Sequence, residues 1–73
     1  MSVFGAELRK LREKAGLSQE QLAESAGVHR TYVSLLERNK KSPTLDVLFR
    51  LCKALRVPAS KVIARVEAGN ENR

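Results

Sequence analysis

One stretch, residues 18–36, limits the possible folds more than any other part of this 73-residue chain. Ser18 and Gln21 form a capping-box pattern, in which the serine hydroxyl accepts from the backbone of Gln21 and the glutamine side chain reaches back. A helix therefore begins directly after Ser18, and Gly27 interrupts it after about two turns. A second short helix is predicted over residues 30–37. Two such helices bury their apolar faces by crossing each other closely.

Helical periodicity continues through the rest of the chain, without the alternation typical of strands. The predicted helices span residues 3–15, 19–26, 30–37 and 59–68, and a fourth in chain order runs from its N-cap Thr44 to a break at Val57-Pro58. The predicted buried stripes are Phe4, Leu8, Leu11 and Ala15 on the first helix and Leu45, Leu48, Cys52 and Leu55 on the fourth. The pattern predicts an all-α fold of five short helices. Residues 1–68 are expected to form one domain, and residues 69–73 a polar C-terminal tail.

The composition argues against an enzyme. One cysteine, Cys52, allows no disulfide, and with a single histidine, His29, it offers no ordinary zinc site. There is no glycine-rich phosphate loop, so we expect no catalytic residues, metal or cofactor, and we interpret Cys52 as part of the core. No apolar run approaches the roughly 18 residues of a membrane span, and no secretion signal is visible, so a cytoplasmic location is expected.

The charge points to a polyanionic partner. Lysine and arginine number 14 against 8 aspartates and glutamates, which gives a net charge of +6. Nucleic acid and an anionic membrane surface would both attract such a chain, and charge alone does not separate them. A membrane is the weaker interpretation, because no helix keeps a wide apolar face once the core is built. No small-molecule ligand is expected in so small a domain.

The third predicted helix carries the most informative surface. At 100° per residue, Val33, Leu36 and Glu37 share one side, and an opposite face carries the four candidate base-contacting residues, Arg30, Thr31, Ser34 and Leu35. Arginine can bind guanine N7 and O6, hydroxyls can bond to base edges, and leucine can meet a thymine methyl group. The face is therefore predicted to enter the DNA major groove. Tyr32 lies at its edge, where packing and a phosphate contact are equally plausible.

The whole pattern resembles the Cro and phage-repressor type of helix-turn-helix regulator, also called the xenobiotic-response-element family. The resemblance covers residues 4–66 and rests on the runs 8–12, 16–23, 30–38, 43–45 and 54–58. The run 30–34 and the small size look most like the controller proteins of restriction-modification systems. Asn39 and Arg56 stand where the family usually has glycine.

The resemblance implies a lambda-repressor-like fold and sequence-specific binding of double-stranded DNA. It places Arg30, Thr31 and Ser34 at base-contacting positions. The phosphate contacts it implies are Gln19, Arg38, Lys40, Lys41 and the amides around Thr44, with Tyr32 as a further candidate. Gln19 would also brace a side chain of the recognition helix. Arg12 and Glu37 match a pair that forms an ion pair beneath that helix.

The last helix is expected to form a two-fold homodimer. One recognition helix reads few base pairs, whereas two related by a dyad reach successive major grooves of a pseudo-palindromic site. Val62, Ile63 and Val66 exceed what one face needs to cover a small core, so they are the predicted dimer interface. The alternative is a protein-interaction module, such as an antitoxin, that binds a partner protein through Leu35 and Val66.

Overall fold

The computed structural model describes residues 3–71, and side chains are described for residues 3–69. Five helices occupy this range, and no strand does. They are α1 (Phe4–Lys14), α2 (Gln19–Ala26), α3 (Arg30–Glu37), α4 (Leu45–Leu55) and α5 (Ala59–Glu71). The all-α prediction is confirmed, and the first four helices agree with their predicted bounds to within a residue. The fifth helix was predicted to end near residue 68, yet it continues to Glu71, into the predicted tail 69–73, whose last two residues lie outside the described range.

The core lies where α2 packs against both α3 and α4, while α1 packs against α3 and α5. Its most deeply buried large side chains are Leu22, Val33, Leu36 and Leu51, which come from α2, α3 and α4. Cys52 is buried as predicted, and this burial raises the pKa of its thiol. At two other positions, Leu45 and Ala15, the predicted burial is wrong.

Leu45 was predicted to lie in the buried stripe of α4, but it is 67% exposed. It is the first residue of the helix and lies a full turn before the buried positions begin at Leu48. Leu51, by contrast, is among the buried residues of α4, with 1% exposure. Ala15 is likewise exposed, because α1 has already ended at Lys14 and the chain turns away from the core.

Each of the first four helices ends at a residue with a positive φ. The four residues are Gly16, Gly27, Asn39 and Arg56, with φ values of 74°, 71°, 57° and 60°. At Arg56, the backbone N–H donates to the oxygen of Lys53 at 3.1 Å, and that of Val57 donates to Cys52 at 3.0 Å. This pair of bonds is the Schellman motif, and the same pattern recurs at the other three ends.

The side chain of Asn39 also forms a hydrogen bond to another helix. Its side-chain Oδ1 accepts a hydrogen bond of 3.1 Å from the backbone N–H of Gly5. Val3, the N-cap of α1, supplies no side-chain cap of its own. Asn39 therefore ends α3 and at the same time caps the first turn of α1, which holds the two helix ends together.

The two non-glycine residues with positive φ are expected to respond in opposite ways to glycine. Arg56→Gly should stabilise the fold by about 0.5–1 kcal/mol, because a left-handed conformation costs an L-residue more than glycine loses in chain entropy. Asn39→Gly should destabilise it by about 1 kcal/mol, since α1 then loses its cap. Urea unfolding of both variants measures this difference. Equal effects of the two substitutions would contradict the capping role of Asn39.

An ion pair attaches α5 to the first helix. The Arg65 guanidinium lies 3.5 Å from the Glu7 carboxylate, whose side chain is only 14% exposed. Arg65 is therefore tied to α1 rather than being a free surface charge, because α5 runs beside α1. Arg50 pairs with Asp46 one turn earlier on α4. Across residues 3–71, no helix has both the length and the apolar character needed to cross a membrane.

Candidate nucleic-acid interface

The recognition helix α3 is oriented by two fully buried side chains. Val33 and Leu36 both have 0% exposure and hold the inner side of the helix against the core. Arg30 and Thr31 are exposed on the outer side, and Ser34 is half-buried there. The predicted outward face is thus present as a surface. Leu35 is half-buried rather than fully exposed as expected, because it sits at the margin of this face.

A histidine cap sets the beginning of the recognition helix. His29 has an extended backbone, and its Nδ1 accepts from the backbone N–H of Thr31 at 3.2 Å. His29 is therefore the N-cap of the recognition helix. Among the described residues no carboxylate pairs with Arg30, so its guanidinium is available to a ligand at the exposed N-terminal end of α3.

A polar network beneath α3 joins three helices. The Nε and Nη2 of Arg12 donate to the two carboxylate oxygens of Glu37 at 2.6 and 3.1 Å, and Nη1 donates to the backbone oxygen of Leu17 at 2.8 Å. The side chains of Arg12 and Glu37 are 12% and 3% exposed. The hydrogen bond from Arg12 to Glu37 raises the pKa of the guanidinium, against the opposing effect of burial. The pair fixes the C-terminal end of α3 relative to α1.

Gln19 extends this network into the helix-turn-helix. Its Nε2 donates to Glu37 Oε1 at 3.1 Å, so it braces an α3 side chain as expected. It stands at the first turn of α2, behind the capping box: the Gln21 amide donates to Ser18 Oγ at 3.0 Å, and Ser18 N–H donates to Gln21 Oε1 at 2.8 Å. The side chain of Gln19 is therefore held between α2 and the C-terminal end of α3.

The remaining phosphate-contact candidates follow α3 in the chain. Arg38, Lys40 and Lys41 are exposed, in the segment that leads to α4. Thr44 caps α4, because its Oγ1 accepts from the backbone N–H of Val47 at 3.1 Å. These positions surround the C-terminal end of α3 and the N-terminus of α4, which is where a helix N-terminus can face a phosphate.

Tyr32 and Asn39 lie near this surface, and the sequence predicted the role of Tyr32 better than that of Asn39. Tyr32 is half-buried and packs against the core, which supports its packing role, while its phosphate contact stays a prediction. The capping role of Asn39 was missed, since the sequence showed only that Asn39 replaces glycine.

In the described part of the chain, no group of three or more His, Cys, Asp or Glu residues is placed to hold a metal ion.

The predicted dimer surface on α5 is narrower than expected. Val62 is only 3% exposed and belongs to the core of the protomer, whereas Ile63 is 46% exposed and Val66 is half-buried. An open groove of about 550 Å³ lies beside them, and its lining residues are Phe4, Pro43, Leu48, Val62, Ile63, Val66 and Glu67. Phe49 on α4 is also 55% exposed.

Comparison with known proteins identifies the family. Residues 8–62 match the helix-turn-helix family. The chain is 41% identical over 69 residues to the control protein C.SmaI of Serratia marcescens, a match that covers 94% of this chain and 82% of that protein. Its fold matches the restriction-modification controller protein C.AhdI of Aeromonas hydrophila with a TM-score of 0.79 and 39% identity, over 81% of this chain and 89% of that one.

A third match is the biofilm master regulator SinR, solved in complex with DNA and known from Bacillus subtilis. It has a TM-score of 0.78 and 31% identity, and the match covers 82% of this chain and 97% of that one. The chain therefore belongs to the helix-turn-helix family of DNA-binding transcriptional regulators, which are not enzymes. Its five helices form the lambda-repressor-like fold that the sequence led us to expect.

Proposed function

We propose that this protein regulates transcription by binding a specific double-stranded DNA site with the outward face of α3. The observation that carries the proposal is the placement of Arg30, Thr31 and Ser34 on one accessible face of a helix whose opposite side is fully buried. An α-helix fits the major groove, and a guanidinium with two hydroxyls can bond to base edges there. Leu35, at the margin of this face, is the candidate for a thymine methyl contact.

The phosphate backbone would be held on both sides of α3. Gln19, already oriented by Glu37, would donate from the α2 side, with Tyr32 as a further donor. Arg38, Lys40, Lys41 and the amides near Thr44 would bind from the other side. Such contacts position the protein without reading sequence. The net charge of +6 adds long-range attraction that weakens as salt is raised.

Base readout and phosphate contact can be separated by two substitutions. Arg30→Ala should cost about 1–3 kcal/mol at one base pair and relax discrimination there, because one bidentate contact is lost. Lys41→Ala should weaken all sites similarly and lower the salt slope by about one. The experiment is selection of sites from random DNA at defined salt, followed by titration of both variants. A uniform loss for Arg30→Ala over all sequences would move Arg30 to the phosphate contacts.

The working unit that we propose is a homodimer on a pseudo-palindromic operator. Ile63 and Val66 border an apolar groove that a second copy can fill with the same residues about a two-fold axis. Phe49 of α4 is 55% exposed but does not line this groove, so we do not include it in the proposed seam. Arg65, whose charge would oppose association, is partly neutralised by Glu7.

Replacing Ile63 with aspartate should abolish the dimer and leave a folded monomer, because the side chain is half exposed and a buried charge at the seam is costly. Sedimentation at micromolar concentration measures the change, and circular dichroism checks the fold. Lys61→Asp, a charge change two residues away on the same helix, is the control and should remain dimeric. A dimeric Ile63→Asp protein would place the interface elsewhere.

The relatives named as control proteins suggest a setting as well. A regulator of this kind would act in the cytoplasm, where its DNA lies. Similarity to C.SmaI over 94% of this chain and to C.AhdI over 81% of it suggests the controller role within a restriction-modification system. The antitoxin alternative is not favoured, since Leu35 and Val66 are both half-buried and the matched relatives are regulators.

A further inference from the structure

A second concave surface lies between α2 and α4, and it uses none of the proposed DNA-binding residues. It consists of two open grooves of about 490 Å³ each. The first is lined by Ser25, Ala26, Arg50, Lys53, Ala54 and Arg56, and the second by Ala15, Leu17, Ser25, Ala54, Leu55 and Arg56. Because the two share three lining residues, they form one continuous surface, called here the basic groove.

The floor and the rim of the basic groove differ in chemistry. The apolar floor that a ligand can touch comes from Ala15, which is exposed, and from Leu17 and Ala54, which are half-buried, whereas Ala26 and Leu55 are core residues with 5% and 7% exposure. The rim carries Lys53 and Arg56, both exposed. No carboxylate lines either groove. The surface therefore offers an apolar floor beside cations.

Most of the positive charge on the rim is not neutralised by ion pairs among the described residues. Within residues 3–69, neither Lys53 nor Arg56 forms an ion pair, and Arg50 pairs only with Asp46, which is itself 74% exposed. A surface ion pair of that kind adds little stability and is readily exchanged. The groove can therefore offer three positive charges to a ligand.

The backbone conformation of Arg56 lowers the stability of the fold. Its φ of 60° is a conformation that glycine adopts without strain and that an L-residue adopts at the expense of folding free energy. The side chain extends into solvent, so no packing in the protomer repays this cost. A strained residue with an exposed charge at a concave surface indicates a binding role.

The basic groove is separated from the proposed DNA surface by α2 itself. Gln19 lies on the side of α2 that bonds to α3, whereas Ser25 lies on the side that faces α4. The groove is also built from the C-terminal half of α4, while the phosphate candidates surround the N-terminus of that helix at Thr44. A ligand in the groove would leave α3 open to DNA.

We propose that the basic groove binds an acidic, amphipathic segment of a partner protein while the regulator is on its DNA. Apolar side chains of the segment would cover Ala15, Leu17 and Ala54, and its carboxylates would pair with Lys53 and Arg56. A nucleic acid fits less well, because a phosphate backbone has no apolar group to cover the floor. This inference goes beyond DNA binding and does not depend on the operator that α3 selects.

The test uses the full chain and a short helical peptide of leucine and glutamate whose leucines lie on one face. Titration with this peptide should shift the NMR signals of Ser25, Ala26 and Ala54 and leave those of Thr31 and Ser34 unchanged. Arg56→Gly should weaken the peptide by about tenfold, the equivalent of one charge-assisted hydrogen bond. Because this variant is expected to be more stable than the parent, the loss cannot be attributed to unfolding.

Two controls keep the result specific. Lys10→Gln removes one positive charge from the exposed face of α1, outside both grooves, and should leave peptide binding unchanged. A peptide in which lysine replaces glutamate should not bind. Operator affinity of Arg56→Gly, measured in parallel, should equal that of the parent, so a failure of DNA binding is seen separately.

Several outcomes would overturn the inference. They are the absence of any shift at millimolar peptide, shifts centred on α3, equal weakening by Lys10→Gln and Arg56→Gly, or displacement of the peptide by operator DNA. Shifts at Ser25 and Ala54 on addition of an unrelated DNA duplex, with none from the peptide, would instead assign the groove to nucleic acid.

Discussion

Arg12→Ala should remove most of the stability of this fold. Glu37 is 3% exposed, and the substitution would leave its carboxylate buried without its ion-pair partner. Loss of one member of a buried pair costs about 3–5 kcal/mol. A domain of this size has a margin of roughly 3–5 kcal/mol, so the variant should be largely unfolded at room temperature. Urea titration followed by circular dichroism measures the loss.

The double substitution Arg12→Met with Glu37→Met separates stability from geometry. Removing both charges should restore most of the folding free energy, because no unpaired charge remains. Gln19 then loses its acceptor on α3, and DNA affinity should fall even in the folded protein. A stable Arg12→Ala protein would show that solvent reaches Glu37, and a double variant with parental affinity would show that the network does not position α3.

Gly5→Ala is the second change with a large expected effect. A Cβ atom at this position would collide with the backbone oxygen of Glu37 and would lie 2.7 Å from that of Leu36. Both atoms belong to backbone at the end of α3, so neither can rotate away. The expected loss is about 3 kcal/mol, at the upper end of the cost of overpacking, and it is measured by thermal unfolding.

Gly69→Ala is the matched control for this prediction. Its Cβ would also be close, at 2.7 Å, but to the side-chain Cγ2 of Val3. A side-chain methyl group can shift where a backbone oxygen cannot, and alanine favours the helix by about 0.5–1 kcal/mol. The net change should be within about 1 kcal/mol. Comparable losses for Gly5→Ala and Gly69→Ala would contradict the close approach of α1 to α3.

Several features of the fold depend on residues that are near one another in the chain, and these were predictable from sequence. The capping box of Ser18 and Gln21 and the Thr44 cap involve partners three residues apart. The left-handed ends at Gly16 and Gly27 follow from the residue type alone. The outward face of α3 follows from the period of a helix. Such local rules established the five helices and the surface proposed to read DNA.

Other features were decided only when distant segments met. Asn39 caps Gly5 across 34 positions, and the sequence showed it only as a substitute for glycine. Val62 became core and Leu45 became surface, because burial depends on which neighbouring helices reach each face, and a single-helix pattern does not contain that information. The pairing of Arg65 with Glu7 and the groove between α2 and α4 arise in the same way. Local hydrogen bonds and periodicity determine where a helix begins and ends and which of its faces is apolar. The contacts between helices depend on how all five pack together.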